Sequence, residues 1–356
     1  MRGSTDPYSA LTPTHSQSSN NHWYEASSYQ PPSINQVLGD DLPNGNFDDS
    51  TMVQFVGSNF GIDGGEISVT YAHGNDGNGN GDGESDDNGN AGDPTATKYV
   101  MGGCVVVAPH TLVNCSSVPG VGAALRFRLK VAGLSAQIFN TTLKYNPPFI
   151  APPLGSSGEV LNAVYGPGAH GANTRGGEEM FLFGRNFGPA NDPFLPRVTY
   201  GGEMGREYEA SNCVVESAFN KVRCLSAPGT GVGHRAVVRI GGQESQLYAG
   251  NVSYGQPSVH YFEPEWKEGV GGNVREGGRT GGGERVLIHG DNFGEKRLNR
   301  IDGVSYGVNG NEFKPCVRGG DSDSCDCKVV TDHTLILCNT TEGTGKVSER
   351  NTASEP

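Results

Sequence analysis

The densest cluster of potential ligand atoms is the segment HGNDGNGNGDGESDDNGNAGDP, His73 to Pro94. Counted from Asp76, it places Asp76, Asn78, Asn80, Asp82, Glu84 and Asp87 at positions 1, 3, 5, 7, 9 and 12, with Gly81 at position 6. That is the spacing by which a loop wraps one calcium ion in side-chain and carbonyl oxygens. Against it, the pattern has no flanking helices and position 12 is Asp rather than a bidentate Glu. Glycine at every second position also makes ordering entropically costly. The composition favours an acidic low-complexity loop that needs no ligand; weak calcium binding is the alternative. No other cofactor is implied.

Eight cysteines form the second set with chemical potential. Cys104/Cys115, Cys213/Cys224 and Cys327/Cys338 share one spacing, C-x10-C, around an alternating apolar stretch with a turn in its middle. Such a stretch reads as a hairpin, and neighbouring antiparallel strands can bring Cα atoms to disulfide distance. These pairs are expected to be staples rather than metal ligands or nucleophiles, each contributing about 3 kcal/mol in the chain-entropy model. Cys316 and Cys325 are expected to close a small loop of their own in an insertion. A zinc reading of Cys325-Asp326-Cys327 lacks the C-x2-C spacing and histidine partners of common sites.

Paired cysteines imply an oxidising compartment. Four sequons agree: Asn114-Cys115-Ser116, Asn140-Thr141-Thr142, Asn251-Val252-Ser253 and Asn339-Thr340-Thr341. Each falls near a predicted strand end, where a glycan could project. The expected location is extracellular or at the cell surface. The first 30 residues have no apolar core of a signal peptide, so an exported protein would carry its targeting segment upstream.

The usual catalytic patterns are missing: no G-x-S-x-G, no H-E-x-x-H and no G-x4-G-K-[ST] occurs. The glycine-rich run Gly269 to Glu284 precedes a predicted strand, so no helix N-terminus is available there for a phosphate. His110 and His333 hold matching hairpin positions, with Phe219 or its neighbour in the same slot of the middle copy. They read as turn residues, and the chain is not expected to be an enzyme. A formal charge of −13 argues against a nucleic-acid partner. No run of 18 apolar residues is present, so no membrane-spanning segment is expected.

The elements that must position these residues come in threes. VGSNFG (Val56 to Gly61), FGRNFG (Phe183 to Gly188) and HGDNFG (His289 to Gly294) are each followed by V-[TS]-Y, at Val69 to Tyr71, Val198 to Tyr200 and Val304 to Tyr306. A cysteine hairpin then follows, running into PGVG, PGTG or EGTG. The repeat of about 110 residues is a whole small domain rather than a solenoid unit. MVQFVG, EMFLFG and RVLIHG read as short alternating strands, and NFG as a turn tolerating positive φ. SYQPPSI, KYNPPFI and SYGQPSV are one junction seen three times, with proline stiffening a direct connection. Six or seven short strands per copy point to an immunoglobulin-like sandwich.

G-x-N-F-G, V-[TS]-Y, C-x-V-V…C-x-S-x-P-G-x-G and the Y-x-x-P junction together resemble the IPT/TIG domain, an immunoglobulin-like fold. The resemblance covers roughly residues 32 to 345. It implies an all-β chain of tandem sandwiches arranged as a rod. The expected partition is 1–31 a linker or the tail of a preceding module, 32–147 module one with the insertion 73–94, 148–256 module two, and 257–356 an incomplete module three. The third copy has Glu342 where proline would stand. The cysteine pair and the P-G-x-G motif look like the surface-receptor branch of the family, and no enzymatic residues carry over. The resemblance therefore implies adhesion or recognition of a protein or glycan ligand, beside neighbouring modules of a longer polypeptide. Two alternatives are a structural stalk or matrix spacer, and an accessory region of an extracellular carbohydrate-active enzyme. Trp23 and Trp266 are candidate contacts, Trp266 equally a packing residue.

Overall fold

In M-V-Q-F-V the second and fourth residues are fully buried and their neighbours are not, the period-two signature of a strand with one face in a core. The same alternation starts the equivalent strand of the second copy, E-M-F-L-F. The computed structural model describes residues 29–40, 42, 51–62, 65–73, 99–155, 157, 159, 161–192, 194–267, 277–307, 309–318 and 324–345. Among them the chain is all-β, with a single short 3-10 turn at Glu265–Lys267.

In the first sandwich one sheet holds β1 (Ser33–Leu38), β2 (Met52–Ser58), β5 (Gly102–Ala108) and β6 (Leu112–Ser116), in the order β1-β2-β6-β5. The facing sheet runs β4-β3-β7-β8, from β3 (Ile67–Ala72), β4 (Tyr99–Val100), β7 (Arg126–Val131) and β8 (Leu134–Ser135), with β9 (Phe139–Asn140) also on β7. This is the A-B-E-D and C′-C-F-G order of an immunoglobulin-like sandwich. Phe55 and Phe127 meet edge to face across the core at 5.3 Å.

The second sandwich repeats that order. Its first sheet runs β10-β13-β17-β16, from β10 (Phe149–Ile150), β13 (Glu179–Arg185), β16 (Ser211–Ser217) and β17 (Lys221–Leu225), with β11 (Val164–Tyr165) also on β13. The facing sheet runs β12-β20-β18-β14-β15, from β12 (His170–Ala172), β14 (Arg197–Tyr200), β15 (Tyr208–Glu209), β18 (His234–Ile240) and β20 (Tyr248–Tyr254), with β19 (Gln243–Glu244) on β18. In the third, β21 (Ser258–Pro264), β22 (Arg285–Asp291), β26 (Cys327–Thr331) and β27 (Leu335–Asn339) again run β21-β22-β27-β26. Its other sheet has three described strands, β23 (Gly303–Tyr306), β24 (Phe313–Val317) and β25 (Ser324–Cys325).

The motif glycines and phenylalanines have one structural task. Phe60, Phe187 and Phe293 are buried, and the ring tip of each lies against Gly57, Gly184 or Gly290, three residues earlier. On its other side each of these glycines meets a backbone carbonyl of the first strand, that of Ser33, Phe149 or Ser258. Only a residue without Cβ lets strand and ring approach so closely. Asn59, Asn186 and Asn292 sit at φ of 62°, 64° and 62°. Their side-chain amides donate to the carbonyls of Pro31, Pro147 and Gln256 at 3.1, 2.9 and 3.2 Å, tying each turn to its junction segment.

The tyrosines of the other motifs pair. Tyr71 and Tyr145 hydroxyls lie 2.6 Å apart, and Tyr200 and Tyr254 hydroxyls 2.8 Å apart. Tyr145 donates to the Val118 carbonyl and Tyr254 to that of Ala227, fixing the loop that leads into P-G-x-G. In the third sandwich Tyr306 accepts from the Thr341 amide instead. Burial raises all four paired phenols above their ordinary pKa of 10.0. The folded state thus holds these protons more tightly than the unfolded chain. The stability this represents is complete below pH 10 and is lost as pH rises above it. Spectrophotometric titration should show the absorbance change of these four tyrosines appearing together with unfolding, above the range of free phenols.

Candidate functional site

Four disulfides are formed: Cys104–Cys115, Cys213–Cys224, Cys316–Cys325 and Cys327–Cys338. The three C-x10-C pairs each join the two strands of one hairpin, with Cα atoms 4.1 Å apart. Cys316–Cys325 closes the short loop of its own that the sequence leads one to expect. It joins paired strands β24 and β25, and Cys316 is 1% exposed inside the core. Among the described residues no group of three His, Cys, Asp or Glu side chains could hold a metal ion. The candidate calcium residues Asp76, Asn78, Asn80, Asp82, Glu84 and Asp87 lie outside the described residues, as does Trp23.

The sequons differ in setting. Asn140 and Asn339 are exposed at strand ends, and Asn251 lies in β20. Asn114 is half-buried in mid-sheet. His110, Phe219 and His333 occupy the same hairpin slot at φ 65°, 68° and 67°, a turn geometry. His333 adds a contact with the second sandwich, its Nδ1 lying 2.9 Å from Thr174 Oγ1. Burial pulls its imidazole pKa down, and nearby Arg175 acts in the same direction. The Trp266 ring packs 3.4 Å from where a side chain on Gly278 would begin, within its own sandwich.

Where one sandwich meets the next, two residues missed in the sequence carry the contact. Tyr99 of β4 and Tyr208 of β15 stand five residues before Cys104 and Cys213, a spacing legible in hindsight. Each hydroxyl accepts from the amide of the variable residue in P-G-x-G, Val121 at 2.9 Å and Thr230 at 3.2 Å. Each then reaches forward. Tyr99 donates to Asp192 Oδ2 at 2.8 Å, while Tyr208 accepts from Arg300 Nη1 at 3.0 Å. Asp192 is buried and its other oxygen accepts from the Phe194 amide at 2.8 Å. Arg300 also pairs with Glu207. Beneath these polar contacts Val121 packs onto Gly188, and Thr230 onto Gly294, the last glycines of the N-F-G turns. Gln243 donates to the Tyr145 carbonyl at 2.8 Å, closing the first junction from the other side. The two junctions therefore share one tyrosine anchor, with Asp192 and Arg300 as its respective forward partners.

Arg300→Ala should loosen the second junction without unfolding either neighbour, because the side chain is 42% exposed and outside both cores. Small-angle scattering should broaden in its interdomain distances while the melting transitions stay within a degree or two. A loss of cooperative melting instead would show that Arg300 belongs to a core.

The outward faces of the first sheets are unlike one another. In the second sandwich Tyr165 stacks on both Phe181 and Phe183 at 5.0 Å, and Lys221 Nζ sits 4.5 Å over the Phe181 ring. Lys221 pairs with Glu216 at 2.6 Å, and Arg223 lies 3.5 Å from Glu179 and from Glu216. In the third, Tyr261 stacks on His289 at 4.3 Å. The first sandwich has a shallow concavity of about 260 Å³ lined by Leu38, Gly39, Asp40, Met52 and Gln54.

Sheet order and facing layers define the class: an all-β protein of tandem immunoglobulin-like sandwiches. The chain matches no protein-family model, and no curated protein is significantly similar to it. Three solved structures are similar to the chain at low identity. The full extracellular region of plexin A4 is 13% identical, over 93% of this chain and 23% of that one, at a TM-score of 0.26. The surface glycan-binding protein PbSGBP-B from Prevotella bryantii is 12% identical, over 80% and 57%, at 0.33. The Escherichia coli adhesin FdeC is 10% identical, over 88% and 89%, at 0.25. The chain thus spans about a quarter of the plexin region and a little over half of the glycan-binding protein. Likeness at this level says nothing of a ligand. No helix among the described residues is long and apolar enough to cross a membrane.

Proposed function

We propose that this chain is a recognition region of a secreted or cell-surface protein, built from three IPT/TIG-type modules at 32–147, 148–256 and 257–356. It binds a protein or glycan through a sheet face rather than performing catalysis. The observation that carries this reading is the strip Tyr165, Phe181, Phe183 and Lys221. It is a half-exposed aromatic and cationic array on the second sandwich, where the first sandwich has Gln54, Val56 and Leu112. Aromatic rings with a bound cation supply apolar area and directed polarity together, the combination that dominates contact energetics. The oxidising compartment implied by four disulfides is consistent with it.

The test is a screen of the full chain against arrays of glycans and ectodomains, repeated with Tyr165→Ser and Lys221→Glu. Binding that is lost in both variants at unchanged melting temperature supports the reading. Binding that survives both moves the contact elsewhere.

The keyed junctions favour a second reading, a spacer that holds other domains apart in a stiff rod. Absence of any ligand together with a rigid scattering profile would select it. Selective capture of an extended polysaccharide would instead point to an accessory role beside a carbohydrate-active enzyme.

A further inference from the structure

The first sheet of the first sandwich turns an apolar face to solvent. Met52 is 58% exposed, Val105 50%, Val107 54% and Leu38 40%, and Val56 and Leu112 share the face. Strand register shows how unusual this is. The second sandwich has Glu179, Glu216, Lys221 and Arg223 where the first has Met52, Val107, Leu112 and Asn114. Where the second sandwich has a lattice of ion pairs, the first has three apolar residues and one asparagine. β5 is also an edge strand, and with two outward valines it has none of the charges that usually protect such an edge.

That asparagine is the acceptor of the sequon Asn114-Cys115-Ser116. It lies in mid-face, opposite Gln54 on one side and Val105 on the other. Its Nδ2 rests 3.2 Å from Met52 Sδ, and its Oδ1 is buried with no hydrogen-bond partner. A buried amide oxygen without a partner costs free energy, so hydrogen bonding in the sheet does not account for an asparagine here.

We propose that Asn114 carries an N-linked glycan whose innermost sugars lie on Met52, Val105 and Val107, supplying the cover that ion pairs supply in the second sandwich. This rests on the secretory compartment of the proposed function. The donor is a lipid-linked oligosaccharide. The Nδ2–C1 bond forms, the C1–O bond to the diphosphate breaks, the lipid diphosphate leaves with the electron pair, and the amide releases one proton.

The test expresses the full chain behind a secretory leader in glycosylating cells, then enzymatically deglycosylates it in heavy-oxygen water and maps the peptides by mass spectrometry. Asn114 is expected to be occupied. Ser116→Ala, which deletes the sequon, is expected to bind an apolar dye severalfold more strongly and to self-associate. Adding Val105→Thr and Val107→Thr should return it to monomer. If Ser116→Ala does not fold, Asn114→Gln, which keeps an amide but accepts no glycan, gives the same reading. Asn114 bare while Asn140 or Asn339 is occupied overturns the proposal, as does an occupied Asn114 whose removal changes neither dye binding nor association. A protein partner found on a bare face overturns it too. All sequons bare overturns the secretory reading beneath it.

Discussion

Gly184→Ala should cost the second sandwich about 3 kcal/mol, the upper end of the range for overpacking a filled site. One methyl group is enough, because its carbon would fall on the Phe149 carbonyl oxygen and on the Phe187 ring. The carbonyl belongs to a backbone paired with Arg185, so it retreats only by opening the β10–β13 ladder. The ring is fully buried. In calorimetry the transition of this sandwich should fall by roughly 15 °C, taking the usual entropy of a domain this size. Gly57→Ala should behave alike, since Ser33 and Phe60 occupy the same two positions. Gly102→Ala is the control. A methyl there meets nothing within 4 Å, and the change should stay within about 0.5 kcal/mol. Equal effects at Gly184 and Gly102 would refute this account of the motif.

Loss of Cys327–Cys338 should unfold the third sandwich while the other two persist. The bond closes a sequence separation of 11, worth about 3 kcal/mol in the chain-entropy model. What makes that decisive is the core it belongs to. Three of the seven buried residues there are half-cystines, Cys316, Cys327 and Cys338, beside Phe293, Ile301, Val329 and Ile336. The first two sandwiches share one continuous cluster that includes Phe55, Phe127, Tyr200 and Val238. Mild reduction followed by hydrogen exchange should therefore deprotect β22 and β27 first, with β2 and β13 retaining their protection. Earlier loss of β2 would mean that apolar burial, rather than sulfur, sets the order.

Much of this was legible from side-chain pattern alone. Alternation placed β2, β13 and β22, and the C-x10-C spacing placed the hairpins, because both depend on periods that the backbone imposes locally. The threefold repeat made each assignment three times. The N-F-G turns were legible because Asn and Gly are the residues that enter positive φ at low cost. The purpose of the first motif glycine was not legible. Its constraint comes from a carbonyl on another strand and a ring three residues on, which converge only in the fold.

The junctions show the same division. Proline and tyrosine near residues 29, 145 and 254 marked where the connections lie, but neither Asp192 nor Arg300 belongs to a repeated motif. A carboxylate accepting from Tyr99 and a guanidinium donating to Tyr208 perform one task through opposite chemistry, which no sequence pattern unites. The apolar outer face of the first sandwich was hidden for a related reason. Met52, Val107 and Leu112 read as strand residues in any context, and only register shows that they stand where the second sandwich carries charges.

The sequence by itself determined what local rules can decide: strand period, turn residues, disulfide spacing, and a repeat long enough to be a domain. Tertiary structure alone decided which faces turn outward, which tyrosines meet and how one sandwich keys into the next. Those depend on residues far apart in the chain, whose contacts become favourable only once both sheets are closed.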